Sequence, residues 1–265
     1  MQKVINNFRV FIESAVLSYR ALFRWFKPVT YAASKIIMPL AQMLFFVLLG
    51  TFGGAAPASF YIIGNSLQIA AISGIYGVTM SIGGDRWDGT LVYVFGSPAN
   101  RLVLFFGRSV VHIIDGIIGV CIGFTWGVLL FGISIPFGSA GILFLAVLIT
   151  VYSTSGLGLL MGCIGLISRN VMFVNNTVYF LLLLFSGANV PLEQLPGWMN
   201  VISQCLPLRN GIIAARSIFS GGSTEFALQH ILLEFGVGSV YLLLGYFLFR
   251  WFEKQAKNSG SLETV

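Results

Sequence analysis

The chain has 265 residues, 57% of them apolar and only 9% charged, with a mean hydropathy of +0.89. Soluble domains carry about 25% charged residues, so a water-soluble fold has no means of hiding this apolar surface, and an integral membrane protein follows. The net charge of +6 is scattered between apolar runs rather than gathered in a basic domain, which argues against a nucleic-acid partner and for a role in membrane orientation.

Residues 1–28 are expected to form an interfacial helix. Val4, Ile5, Phe8, Phe11, Ile12, Ala15, Val16, Tyr19, Leu22, Phe23 and Phe26 recur at helical spacing, while Lys3, Asn6, Arg9, Glu13, Arg20 and Arg24 mostly take the other face. A basic polar face opposite a Phe-rich one describes a helix lying in the interface plane; packing against a partner helix is the other reading. The same charges interrupt any signal-peptide core. Pro28 ends the segment.

The region 29–250 is expected to hold six membrane spans, near 31–52, 60–82, 103–131, 141–167, 171–188 and 226–249, each close to the ~20 apolar residues that cross ~30 Å of hydrocarbon. Gly53-Gly54 and Pro57 break the first pair, Pro136 and Gly138 follow the third span, and Ser168-Arg169-Asn170 joins the fourth and fifth tightly. Gly119, Gly123 and Gly127, and Gly158 and Gly162, recur every four residues. Small residues at that spacing admit close backbone approach, within one chain or across a dimer. The segment 188–225 is punctuated by Pro191, Pro196 and Pro207; its apolar pieces are too short to span and are expected to be re-entrant or interfacial helices on the outer face. Residues 251–265 form a polar tail. The fold class is thus an all-α membrane protein with six transmembrane helices, an N-terminal amphipathic interfacial helix and short helices before the last span.

With the N-terminus inside, Lys3, Arg9, Arg20, Arg24, Lys27, Lys35, Arg86, Arg101, Arg108, Arg169, Arg250, Lys254 and Lys257 all fall on the cytoplasmic side, leaving only Arg209 and Arg216 outside. The bias predicts a multi-pass protein of the cell (inner, cytoplasmic) membrane with both termini in the cytoplasm.

One polar island interrupts the apolar runs. Ile36 to Gly84 and Gly116 to Ser168 hold no Lys, Arg, Asp or Glu, yet between them stands Asp85-Arg86-Trp87-Asp88-Gly89-Thr90-Leu91, followed by Ser97-Pro98. A charge costs roughly 2.5–3.5 kcal/mol at a helix centre, so this loop, 83–102, must face water or protein. Asp85 is suited to capping a short helix, Trp87 and Leu91 to an apolar docking surface, Gly89 to a sharp bend, and Ser97-Pro98 to opening the next helix.

Other chemistry is missing. No Lys follows a Gly, which excludes a Gly-x-x-x-x-Gly-Lys phosphate loop, and there is no His-Glu-x-x-His or Gly-x-Ser-x-Gly. Two His and three unpatterned Cys (Cys121, Cys163, Cys205) predict neither a metal site nor a disulfide framework. No catalytic residue is expected.

The loop is loosely similar to that between the second and third spans of major facilitator transporters, whose chains carry roughly twice the spans this length offers. It more closely resembles the Glu-Arg-x-x-Gly-Thr-Leu…Ser-Pro pattern of type-2 ABC exporter permeases, with Asp85 in place of Glu. The interfacial N-terminal helix, six spans and short outer helices, and Ser186-Gly187 with Pro191, Leu195-Pro196 and Leu206-Pro207, extend the likeness along the chain. The resemblance implies the membrane subunit of an ATP-binding-cassette exporter. Its coupling helix, Asp85 to Leu91 with Ser97 and Pro98, would rest on a separate cytoplasmic ATPase that holds ATP and Mg, with no cofactor on this chain. It also implies pairing with a second permease copy, identical or homologous, the first and fifth spans lining the interface. The cargo would be a drug, antibiotic or other amphipathic compound, or else a polysaccharide or lipid.

Ionisable residues inside the spans are candidates for a substrate path or proton relay. Arg108, His112 and Asp115 share one face of the third span, and Asp115 is expected to pair with Arg108 or His112. His230 and Glu234 lie in the outer half of the sixth span. A proton-coupled carrier using Asp115, His112 and Glu234, and a membrane scaffold or immunity protein, are the alternatives; no inverted repeat is visible to support the carrier.

Overall fold

The computed structural model describes residues 2–25, 28–87, 89–97, 99–166 and 170–259, with side chains left undescribed at 2–5, 21–25, 28, 86, 87, 91 and 256–259. Among these residues every regular element is helical: α1 (Gln2–Trp25), α2 (Pro28–Phe52), α3 (Ala58–Ala71), a π-helical turn (Ile72–Gly77), α4 (Val78–Trp87), α5 (Leu91–Gly96), α6 (Arg101–Phe131), α7 (Ala140–Gly165), α8 (Val171–Phe185), α9 (Gly197–Cys205), α10 (Arg209–Phe219) and α11 (Thr224–Ser259).

Five stretches are long and apolar enough to cross a bilayer: Val29–Phe52, Ala58–Asp85, Arg101–Phe131, Phe137–Gly165 and Thr224–Gln255. The fifth of the expected spans, near 171–188, is instead the 15-residue α8. At 1.5 Å per residue it reaches only about 22 Å. It stops at Phe185 because Ser186 and Gly187 turn the chain, Gly187 at φ 81°. The chain therefore shuttles between a loop end, carrying α5, and a far end, carrying α9 and α10.

The central rod is α3, the π turn and α4, with 78% of its most apolar window buried against 17% for α2. Close contact is possible because one side of each crossing is small. A Cβ on Gly119 or Gly123 of α6 would meet Ile69 at 2.8 and 2.6 Å, and one on Gly158 of α7 would meet the Gly74 carbonyl oxygen at 1.9 Å. Both glycine series thus serve packing within the chain. A π turn is a rare irregularity; here it lies where α6 and α7 both press on the rod, with Gly74 against Thr154 and Gly77 against His112. At the crossing of α7 and α11, a Cβ on Gly156 would sit 2.7 Å from the Gly238 carbonyl.

The N-terminal helix packs on the bundle along one face and exposes apolar groups on another. Ser14 is buried, and the Phe11 carbonyl lies where a Cβ on Gly107 of α6 would be, so α1 packs along α6. Phe8, Ile12, Val16, Leu17 and Tyr19 remain exposed, an apolar strip consistent with a helix in the interface plane.

Candidate coupling loop and buried polar clusters

The loop end is built around Asp85. It lies in the last turn of α4 and is buried. The Arg108 guanidinium donates to its Oδ2 at 2.6 Å and to the Ser81 carbonyl at 3.0 Å. The Thr90 hydroxyl donates to its Oδ1 at 2.8 Å, and the Thr90 N–H to its carbonyl at 2.9 Å. Asp85 was expected to cap a helix by accepting backbone N–H groups; it instead accepts a guanidinium and a hydroxyl, because it closes the loop from α4 rather than opening α5. Gly89 takes φ +67° between them, a left-handed conformation that glycine adopts without steric cost, as the bend required.

The short helix α5 is two-faced. Val94 and Phe95 are buried and Val92 and Tyr93 exposed, Tyr93 by 78%. Phe95 packs on Phe249 and Phe252 of α11 at ring-centroid distances of 6.3 and 5.8 Å. Arg101 pairs with Glu253 of α11 and donates to the Phe95 carbonyl at 2.6 Å. Ser97 accepts the Ala99 N–H at 3.1 Å and ends α5, while α6 opens at Arg101 with Asn100 as its N-cap; the reading of Ser97-Pro98 as the opening of α6 is corrected by that three-residue offset. Asp88 and Pro98 lie outside the described residues, and the side chains of Arg86, Trp87 and Leu91 are likewise undescribed.

A second cluster lies within the bundle. Asp115 accepts from Lys35 and Tyr31 of α2 and, at 2.6 Å, from Ser73 of the π turn; Lys35 also donates to Ser73 at 2.9 Å. The expected pairing of Asp115 with Arg108 or His112 does not form. Seven residues along a helix separate Arg108 from Asp115 by about 10 Å, and Arg108 reaches across to Asp85 instead. His112 is buried beside Gly77, where a Cβ would lie 2.3 Å from its Nδ1.

At the far end, Glu234 of α11 is fully buried. Its carboxylate accepts the N–H groups of Leu208 at 2.8 Å, Asn210 at 3.1 Å and Gly211 at 3.3 Å. It therefore caps α10 in trans, meeting the exposed donors and positive dipole end of that helix. His230 is joined to Asn210, Nδ1 to Oδ1 3.1 Å. Glu234 and His230 thus fasten the far-end helices and are not brought together with Asp115.

The sequence reading overlooked neutral amides. Gln42 joins Asn65 at 3.3 Å and accepts from Tyr179 at 2.9 Å, and Asn65 donates to Asn189 at 2.8 Å. These bonds tie α2, α3 and α8 together. Attention to charge alone hid them; polar amides in apolar runs were the available signal. Among the described residues no cluster of His, Cys, Asp or Glu is arranged to hold a metal ion.

The fold and these sites define a multi-pass helical membrane protein whose buried polar groups join its helices. A family model described as ABC-2 type transporter matches residues 14–220, and the chain belongs to that family, as a membrane permease subunit of an ABC transporter. A comparison with curated proteins gives no match.

Proposed function

We propose that this chain is the permease subunit of an ATP-driven exporter, paired with a second permease and driven by a separate cytoplasmic ATPase that docks on residues 83–102. The observation that carries this reading is the construction of α5. Its inner face is fixed to α11 through Phe95, and Asp85 and Arg108 fix the preceding turn to α6, while Val92 and Tyr93 stay exposed. A loop rigidly joined to two long helices is suited to pass a partner's movement into the membrane. In this reading α8 is the fifth of six spans, α9 and α10 are outer-face helices, and both termini are cytoplasmic. The exposed apolar faces of α2 (Ile37, Phe45, Leu48) and α8 (Phe173, Phe180, Leu181) support the expectation that these two helices meet the second permease. The cargo class we propose is a drug, antibiotic or other amphipathic compound; polysaccharide and lipid exporters share the topology.

The test is co-purification of the full chain with ABC ATPases from its own membrane. The complex is expected to form and to be lost in Tyr93→Arg. Transport of cargo by the purified protein without any ATPase, or transport that collapses with the proton gradient and ignores ATP, would overturn the reading in favour of a carrier. Engagement of Asp115 by three donors leaves that acid committed to structure and disfavours the carrier.

A further inference from the structure

The far end of the bundle holds a cavity of about 690 Å³ between the start of α3, the end of α6, α10 and the start of α11, within the range of ligand pockets. Its wall is mostly apolar, with Phe60, Ile133, Ile213, Phe219 and Phe226 among the lining groups. One cation lines it. Arg216 lies over the Phe60 ring, 3.4 Å from its centroid, and donates through Nη2 to the carbonyls of Phe60 at 2.9 Å and Ala188 at 3.2 Å. Those contacts hold the side chain in place but supply no negative charge. Among the described residues its buried Nε has no hydrogen-bond partner, Nη1 makes no hydrogen bond, and no carboxylate lies within 4 Å of the guanidinium. Burial lowers the Arg216 pKa to about 9, with Glu193 opposing the shift, so the group is cationic at neutral pH. The hydroxyls of Ser59 and Ser134 also line the cavity.

A preoriented guanidinium with no carboxylate at ion-pair distance among the described residues, set in an apolar wall with hydroxyls beside it, matches an anion carried on an apolar body: Nη1, the nitrogen left unengaged, donates charge-assisted hydrogen bonds to a carboxylate or phosphate, and the rings and aliphatic groups take the chain. We propose that this cavity binds an amphiphile with a single anionic carboxylate or phosphate headgroup, with Arg216 as the headgroup ligand. The two sources of such a molecule are a membrane phospholipid and an exported cargo. The site does not depend on how the chain is coupled to ATP.

The test uses the full-length permease in phosphatidylcholine nanodiscs, without ATPase, and reads thermal unfolding with added dodecyl phosphate, dodecanol or dodecyltrimethylammonium. Dodecyl phosphate at about a hundred times its Kd is expected to raise the melting temperature by roughly 5 °C, with the other two giving no comparable shift. Arg216→Gln is expected to abolish the shift. Since Arg216 also holds backbone carbonyls, Ser134→Trp, which fills the cavity from its exposed rim and leaves Arg216 in place, is the second variant and is expected to abolish it too. A shift of equal size with the cation, none with the anion, or one that survives Ser134→Trp would overturn the proposal. Native mass spectrometry of the protein taken from its membrane separates the sources. Anionic phospholipid retained by the wild type and lost in Ser134→Trp identifies lipid; dodecyl phosphate binding with no retained lipid identifies cargo.

Discussion

The Glu234 carboxylate and the Leu208 N–H meet at 2.8 Å across the far end of the bundle, and Leu208 is the one non-glycine residue with a positive φ, 79°, among the described residues. The two facts belong together. Pro207 turns the chain out of α9, the strained residue aims its N–H and those of the first turn of α10 inward, and a carboxylate from α11 receives them. An acid in a hydrophobic helix thereby serves as a cap that accepts from three donors.

Replacing that acid is therefore expected to act on stability first. Glu234→Ala strands three buried N–H groups, each at about 1–3 kcal/mol, and should lower the melting temperature sharply. Glu234→Gln retains one carbonyl acceptor and should lose less. Thermal unfolding in nanodiscs checks this; an Ala variant as stable as wild type would refute the capping role.

The Lys35–Asp115 pair predicts non-additivity. Each partner is mostly buried, at 17% and 9% side-chain exposure, so Asp115→Ala leaves an ammonium in an apolar setting at a cost on the order of 3–5 kcal/mol. Removing both charges with Lys35→Met and Asp115→Leu is expected to restore stability nearly to wild type, since a buried ion pair is often no better than well-packed apolar groups. Unfolding of the single and double variants forms the cycle. A double variant as unstable as Asp115→Ala would show that Tyr31 and Ser73 need the acid regardless of its charge.

These two sites also mark what sequence can and cannot say. Hydrophobic runs and their breakers placed the starts of the long helices within a few residues, because the cost of unpaired backbone in lipid forces helix; the end of α11 was missed, since the helix continues to Ser259 through the expected polar tail, where charge rather than apolarity marks the sequence. Gly89 was legible as a bend because few other residues adopt that conformation. The partners of ionisable groups were not legible. Helical spacing relates Asp115 only to residues of its own helix, whereas its partners, Lys35, Tyr31 and Ser73, come from α2 and the π turn. The π turn left no signal beyond Gly74 and Gly77, whose close neighbours come from α7 and α6 at their crossings.

The tightest of those crossings gives a third expectation. A Cβ on Gly158 would fall 1.9 Å from the Gly74 carbonyl oxygen, while one on Gly84 would meet nothing within 4 Å. Gly158→Ala should therefore force α7 off the π turn, with a stability loss of about 1–3 kcal/mol or more from overpacking, and Gly84→Ala should be neutral. Expression and melting of the two variants side by side are the measurement, and equal behaviour would mean the crossing relaxes without cost.

The last expectation separates docking from transmission. Tyr93 is exposed on α5, whereas Glu253 is half-buried against Arg101 and receives Arg250 at 3.2 Å. If α5 meets the ATPase and α11 receives its motion, Tyr93→Arg should abolish ATPase binding. Glu253→Ala should leave binding intact, since the outer face of α5 is unchanged, yet loosen the join between loop and helix. Transport per ATP hydrolysed should then fall although the ATPase still binds. That ratio, measured in proteoliposomes beside a pull-down of the ATPase, distinguishes the two roles. Unchanged transport in Glu253→Ala would confine the mechanical path to α4 and α6, through Asp85 and Arg108.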